Sequence, residues 1–167
     1  GPDFPTGGII TNKKDLKSIY ETGKGRISIR SNVEVEDIGY GKYNIVITEI
    51  PYTFSGNKQR LISSIIDKAN DKQLEEMVDI RDESSGSEIR IVIETKRGID
   101  PEVFKHKLFK RTPLEDNYGV QFLALIDKEP VLFSLKQYMK EFVKFQKEIY
   151  TRKYQHLLVK AEKKEEI

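Results

Sequence analysis

The stretch that decides the fold is residues 26–50, which read RISIRSNVEVEDIGYGKYNIVITEI. Polar and apolar residues alternate over Arg26–Arg30 and again over Val33–Glu36, and this two-residue period is typical of a half-buried strand. Asp37–Gly41 supplies a turn with two glycines, and Lys42–Ile50 has the composition of a returning strand. The stretch therefore predicts an antiparallel hairpin.

Helices are predicted on the C-terminal side of this hairpin. Apolar residues at 3.6-residue spacing predict an amphipathic helix over 57–70, with capping chemistry at 55–57. Asp100 followed by Pro101 marks the start of a second helix, because a capping carboxylate and a first-turn proline favour helix initiation. Ser134 caps a long third helix that contains no Gly or Pro and carries two apolar stripes. Because this helix is apolar on two sides, we expect each stripe to pack against a partner, one being its own sheet and the other a second helix.

The remaining elements are shorter. Residues 1–25 are predicted to be irregular, apart from a short helix near Lys14–Glu21, because glycines and prolines interrupt them. Short strands are predicted over Val78–Arg81, Ile89–Glu94, Tyr118–Ile126 and Val131–Phe133. This order predicts an α+β fold with a mostly antiparallel sheet and packed helices, followed by a long C-terminal helix that begins a coiled coil.

The composition excludes several kinds of chemistry. The chain of 167 residues has no cysteine, so it has neither a disulfide scaffold nor a thiolate metal site nor a Cys nucleophile. Its two histidines, His106 and His156, lie fifty residues apart, without the spacing of metal ligands. The glycines at 23–25 and 39–41 lack the spacing of a nucleotide-binding loop. No catalytic or metal-binding residue is therefore predicted.

The charge is unevenly distributed, although the net charge is only +2. Residues 1–30 carry a net charge of +3, residues 31–133 carry −5 and residues 134–167 carry +4. Basic ends around an acidic middle are expected of a domain that binds a polyanion at its edges. Lysine-rich helices that are merely solvated would give the same pattern, so charge alone leaves both interpretations open.

The N-terminal residues have the types suited to DNA. Cations lie close together beside glycines whose backbone can approach phosphates: Lys13, Lys14, Lys17, Lys24, Arg26 and Arg30. Ile9 and Ile10 follow two glycines. Such an apolar pair usually packs in a core, but on a DNA-facing loop it would act as a wedge between bases.

Several motifs resemble the A subunit of the bacterial type IIA topoisomerases, DNA gyrase and topoisomerase IV. They occur in the same order along the whole chain and comprise GPDFPTGG at 1–8, YETGKG at 20–25, EIPY at 49–52, RDES at 81–84, RIVIE at 90–94, LFKRT at 108–112 and TRK at 151–153. The resemblance implies a tower domain and the start of a coiled-coil arm. The implied boundaries are a DNA-facing linker at 1–25, the tower domain at 26–133 and the arm at 134–167.

The resemblance also implies a function. The chain would bind and bend the gate segment of double-stranded DNA for an ATP-dependent type II topoisomerase, an isomerase of the bacterial cytoplasm. The nucleophilic tyrosine would lie upstream of Gly1, so this chain alone is expected to be inactive. Mg²⁺ and ATP would act through the partner B subunit, and the complete A subunit would form a homodimer, with no membrane partner. Whether the relative is gyrase or topoisomerase IV stays open.

Site residues follow from the same resemblance. The family's intercalating isoleucine maps onto Ile9 or Ile10, with Ile10 favoured. Contacts with the DNA backbone are expected from basic residues at matching positions: Lys13, Lys14, Lys24, Arg26, Arg30, Lys58 and Arg60. The alternatives are a stand-alone, non-sequence-specific nucleic-acid-binding domain, or a structural or protein-interaction domain with solvated basic ends.

Overall fold

A computed structural model describes residues 1–54 and 57–165 of the chain. The predicted capping residues Ser55 and Gly56 lie outside the described residues. Within these ranges, no helix has both the length and the apolar character needed to cross a bilayer. The chain divides into two compact units, Gly1–Leu16 with Arg26–Gly119 and Lys17–Gly25 with Val120–Ile167. The three domain boundaries expected from the sequence stay predictions.

The described residues confirm an α+β fold with antiparallel strand pairs and a long C-terminal helix. In chain order the elements are β1 Ile9–Ile10, α1 Leu16–Thr22, β2 Lys24–Arg30, β3 Asn32–Gly39, β4 Lys42–Glu49, α2 Lys58–Asn70, β5 Met77–Asp82, β6 Ile91–Thr95, α3 Pro101–Arg111, β7 Glu115–Gln121, β8 Leu123–Ile126, β9 Glu129–Leu132 and α4 Leu135–Glu165. Short 3₁₀ turns occupy Lys13–Asp15 and Tyr52–Phe54.

The predicted hairpin is formed by β3 and β4, but it begins later than the sequence suggested. Asn32 pairs with Glu49, and the pairing continues to Gly39 opposite Lys42. Arg26–Arg30 belongs instead to β2, in a second sheet of order β1-β2-β7. The prediction that both alternating stretches form one hairpin strand was therefore wrong, because the period of a strand does not identify its partner. The switch occurs at Ser31, whose N–H donates to the Leu114 carbonyl at 2.7 Å.

A four-stranded sheet of order β3-β4-β6-β5 supports the core of the first unit. Its inner face packs against α2 and α3 through fully buried side chains, among them Ile45, Ile47, Leu61, Phe104 and Leu108. Asp100 caps α3 by accepting hydrogen bonds from the N–H groups of Glu102 and Val103, as predicted. The apolar face of α2 therefore packs against the sheet, as the sequence indicated, and α3 does likewise.

The outer face of this sheet carries charged side chains over a buried apolar layer. Val46 and Val92 are fully buried there. Arg90 donates two hydrogen bonds to the Glu36 carboxylate, both at 3.1 Å, and Arg81 pairs with Glu94 at 3.3 Å. These ion pairs contribute modestly to stability, because they are solvent-exposed.

In the second unit, the predicted strand Tyr118–Ile126 is interrupted at Phe122. The Phe122 N–H donates to the Gly23 carbonyl at 2.7 Å, and its own carbonyl accepts from the Phe133 N–H at 2.9 Å. These bonds draw Phe122 out of the ladder, so the segment forms β7 and β8 rather than one strand. Ser134 caps α4 as predicted, because its hydroxyl accepts from the Gln137 N–H at 3.1 Å.

Both apolar stripes of α4 are exposed within this unit. Phe142 and Phe145 on one stripe are each more than half exposed, as are Val143 and Tyr154 on the other. The sequence predicted that each stripe would pack against a partner. That packing stays a prediction.

Candidate nucleic-acid interface

β1 and β2 determine which N-terminal side chains share a face. Ile9 lies opposite Arg30, and Ile10 lies opposite Ile29, in antiparallel register. Directly paired residues project from the same face of a sheet, and residues two apart along a strand do likewise. Ile9, Arg30 and Arg26 therefore share one face, whereas Ile10 shares the other with Ile29.

Burial separates the two isoleucines clearly. Ile29 is completely buried and Ile27 is 2% exposed, so their face is the interior of the unit, and Ile10 is half-buried beside them. Ile9 is 51% exposed. The preference for Ile10 as the DNA-contacting isoleucine therefore finds no support in the geometry, because Ile9 is the one that projects with the cations.

Three cations without ion-pair partners lie near Ile9, two of them following it in sequence and one on its face of β2. Lys13 and Lys14 lie exposed in the 3₁₀ turn that follows β1, and Arg26 is exposed on the Ile9 face of β2. Among the described residues, none of these three side chains forms an ion pair, and neither does the exposed Lys24, which begins β2 but belongs to the second unit. The described part of the first unit thus presents three free cations beside one exposed isoleucine.

Arg30 differs from Arg26 although it lies on the same face. Its Nε lies 2.6 Å from the Glu115 carboxylate, and its guanidinium lies 4.7 Å above the ring of Phe109. A planar guanidinium held by both a carboxylate and an aromatic ring has lost much of its freedom to bind another group. In this structure Arg30 ties β2 to β7 and α3.

The two predicted contacts on α2 lie on a separate element. Lys58 pairs with Asp82 at 3.2 Å, which ties α2 to β5. Hydrogen bonding by Ser84 is the largest influence on the pKa of Asp82 and lowers it. Burial opposes this effect, but the hydrogen bond and the charge of Lys58 add to the lowering, so the pKa lies below its usual value. Arg60 lies exposed in the first turn of α2, where its backbone N–H donates to the side-chain oxygen of Asn57 at 3.3 Å. Their DNA contacts stay predictions.

The segment before β1 is fastened to the end of β4, which the sequence alone did not reveal. The Gly8 N–H donates to the Glu49 carboxylate at 2.8 Å. Thr6 and Ile50 exchange two hydrogen bonds, one from the Thr6 hydroxyl at 2.7 Å and one from the Ile50 N–H at 3.2 Å. Both segments stood out as motifs, but their pairing spans more than 40 residues and left no local signal. We call these four residues, Thr6, Gly8, Glu49 and Ile50, the clasp.

Asn12 fastens the other end of β1. Its amide donates to the Arg26 carbonyl and to the Asp15 carboxylate, both at 2.9 Å, and its side-chain oxygen accepts from the Ser28 N–H at 2.8 Å. The chain that leaves β1 is thereby fixed onto β2 and onto the turn that carries Lys13. The exposed face therefore has a defined geometry at both of its ends.

No cluster that could hold a metal ion accompanies this face in the described part of the chain. Within residues 1–54 and 57–165, no three acidic or imidazole side chains converge as a metal site requires. These residues do not fit an Mg²⁺ ion, so no chemical step is assigned to one. What the face offers is a set of charged and apolar contacts suited to a polyanion.

Comparisons with known proteins match nearly the whole length of the chain. The family model described as the A subunit of DNA gyrase/topoisomerase IV matches residues 1–167. The chain is 43% identical over 161 residues to the DNA gyrase A subunit of Clostridium acetobutylicum, which covers 96% of this chain and 19% of the relative. It is 45% identical over 164 residues to that of Ureaplasma parvum, covering 98% and 19%, and 42% identical over 167 residues to that of Rickettsia bellii, covering 100% and 18%.

Proposed function

Because the chain belongs to the A-subunit family of DNA gyrase and topoisomerase IV, we propose that its first unit binds and supports double-stranded DNA. The chain spans about a fifth of the length of the curated relatives it matches. The activity of the complete protein is therefore part of the proposal. In this proposal, a homodimer of the complete A subunit carries out ATP-dependent strand passage. A partner B subunit supplies ATP hydrolysis and Mg²⁺.

The observation that carries the proposal is the exposed face of β1 and β2. Lys13, Lys14 and Arg26 form no ion pair with any described residue, so they can exchange solvent counterions for phosphates without breaking a bond within the protein. Such contacts position a duplex but do not read its sequence. Binding should therefore be non-sequence-specific and should weaken steeply as salt rises.

Support of bent DNA extends the same proposal. Smooth bending of a 20–30 base-pair site costs on the order of 1–6 kcal/mol, which contacts on each arm of the duplex must offset. Ile9 adds an exposed apolar side chain on the same face as Arg26. Its entry into a base step stays a prediction, and the proposed binding does not depend on it.

Covalent chemistry is not assigned to the residues of this chain. The two tyrosines that follow a lysine, Tyr43 and Tyr154, lie within β4 and within α4. Among the described residues, no cluster of acidic or imidazole side chains could hold a metal ion. We expect this chain to bind DNA without cutting it.

A charge-reversal experiment tests the proposal. The triple variant Lys13→Glu, Lys14→Glu, Arg26→Glu should bind a 30 base-pair duplex at least about tenfold more weakly than the unmodified chain. Its log–log salt slope should be shallower by about 2 to 3, because each lost phosphate contact removes about 0.9 from the slope. Fluorescence anisotropy over a salt series measures both quantities.

The matched control places the same charge change elsewhere. Lys72, Arg97 and Lys110 are exposed cations of the first unit that lie outside β1 and β2. Their joint reversal to Glu should change duplex affinity much less than the site triple does. Equal losses in the two triples would mean that net charge, rather than this face, governs binding. Binding that is insensitive to salt would favour a structural or protein-interaction role.

A further inference from the structure

We propose that Glu49 is a positioning residue for DNA binding, acting through the clasp to hold β1 and its flanking cations in the geometry that meets the duplex. This inference rests on the proposed function. Glu49 touches no DNA in the proposal. It acts on Ile9 and on the turn with Lys13 and Lys14 by fixing the segment that leads into them.

β1 cannot hold its position through strand pairing alone. It contains two residues, and its register with β2 consists of Ile9 opposite Arg30 and Ile10 opposite Ile29. A two-residue edge strand makes too few ladder bonds to offset the conformational entropy of ordering its flanking segments. Side-chain bonds at its two ends must therefore supply the difference.

Glu49 provides a rigid anchor for the segment before β1. It ends β4, whose Ile45, Val46 and Ile47 are fully buried in the centre of the sheet. A carboxylate that accepts a backbone N–H forms a stronger bond than a neutral acceptor does. The clasp thus ties a glycine-rich segment to one of the best-packed strands of the unit.

The close approach of this segment to Glu49 and Ile29 depends on the two glycines at 7 and 8. Gly7 and Gly8 both have positive φ, +71° and +105°. A Cβ at Gly7 would lie 2.6 Å from the Glu49 carboxyl carbon, and a Cβ at Gly8 would lie 2.7 Å from the Ile29 side chain. Side chains at these positions would displace their neighbours, so the backbone and Glu49 form one fitted unit.

The charge of Glu49 argues for positioning rather than for direct binding. A carboxylate near a DNA-facing segment repels phosphates, so its removal alone should strengthen binding slightly. If removal weakens binding instead, the loss of geometry must outweigh the gain in electrostatics. This opposition of signs makes the role testable.

The test compares Glu49→Gln with Glu49→Ala in the 167-residue chain. Both variants remove the same charge, but Gln keeps a carbonyl oxygen that can accept the Gly8 N–H. We expect E49Q to bind a 30 base-pair duplex within about twofold of the unmodified chain or more tightly. We expect E49A to bind about tenfold more weakly, because only about a tenth of its molecules would hold the competent geometry. Glu34→Ala, at an exposed position on β3, controls for the loss of a surface carboxylate.

A second measurement separates positioning from general stability. Amide hydrogen exchange should accelerate at residues 8–12 in E49A but not in E49Q, while the core amides of β4 and β6 stay protected in both. Equal duplex affinity of E49Q and E49A, with the unmodified chain binding normally, would overturn the positioning role and leave the proposed function standing. Failure of the unmodified chain to bind duplex in a salt-dependent manner would overturn the proposed function and this inference together.

Discussion

At the scale of single residues, neighbours decide what a charged side chain is free to do. Arg26 and Arg30 lie four residues apart on the same face of β2. Arg26 forms no ion pair with a described residue, whereas Arg30 is held by Glu115 and Phe109. Residue type and spacing predicted the same role for both. The difference arises from Glu115, a residue 85 positions away from Arg30 that local pattern cannot place.

Tyr40 adopts a left-handed backbone conformation that is unfavourable for an aromatic residue. Tyr40 sits at φ +57° in the turn between β3 and β4, followed by Gly41 at +72°, and it is 89% exposed. Two positive φ values match a type I′ turn, which favours Asn-Gly and disfavours an aromatic residue at its first central position. Tyr40→Asn should therefore stabilise the chain by about 0.5–1 kcal/mol, measured by urea unfolding.

The control for this prediction is Tyr40→Ala. Alanine also removes the exposed ring but keeps the cost of the left-handed backbone, so its stability should stay below that of Tyr40→Asn. If both variants unfolded at the same urea concentration, backbone strain at position 40 would not be the cause.

At the scale of elements, ion pairs tie strands and helices together where the apolar core ends. Glu76, just before β5, accepts two hydrogen bonds from the Lys107 ammonium of α3, both at 2.9 Å. Burial raises the pKa of Glu76, but hydrogen bonding and charge from Lys107, with a backbone hydrogen bond and the charge of Lys96, outweigh it and lower the pKa below its ordinary value of 4.5. The ionised form is therefore the one that stabilises the native state.

This pKa direction predicts a pH dependence. A carboxyl group with a lowered native pKa contributes stability above its unfolded pKa, and that contribution is lost as the pH falls through its native pKa. Glu76→Gln should therefore melt at a lower temperature than the unmodified chain at neutral pH, and the gap should close below pH 4.5. Thermal unfolding over a pH series measures the gap. A constant gap through the acid range would show that Glu76 does not stabilise through its charge.

At the scale of the whole molecule, short-range patterns predicted the elements and missed the long-range pairings. The helix caps at Asp100 and Ser134 and the apolar face of α2 are local, and the structure has them where the sequence indicated. By contrast, the pairing of Arg26–Arg30 with β1 and β7 and the break at Phe122 depend on hydrogen bonds between residues that are distant in sequence. For the candidate site, sequence identified the cations, whereas the exposure of Ile9 and the clasp required the register of β1 and β2 and the fold around Glu49.

A lysine-reactivity footprint with and without DNA tests directly whether the β1–β2 face meets the duplex. Lys13 and Lys14 should become protected from acetylation when a 30 base-pair duplex is added, and raised salt should remove the protection. Lys96 and Lys110, exposed elsewhere on the first unit, should react equally in both states. Protection of Lys96 and Lys110 with no change at Lys13 and Lys14 would show that the duplex meets a different face and not β1 and β2.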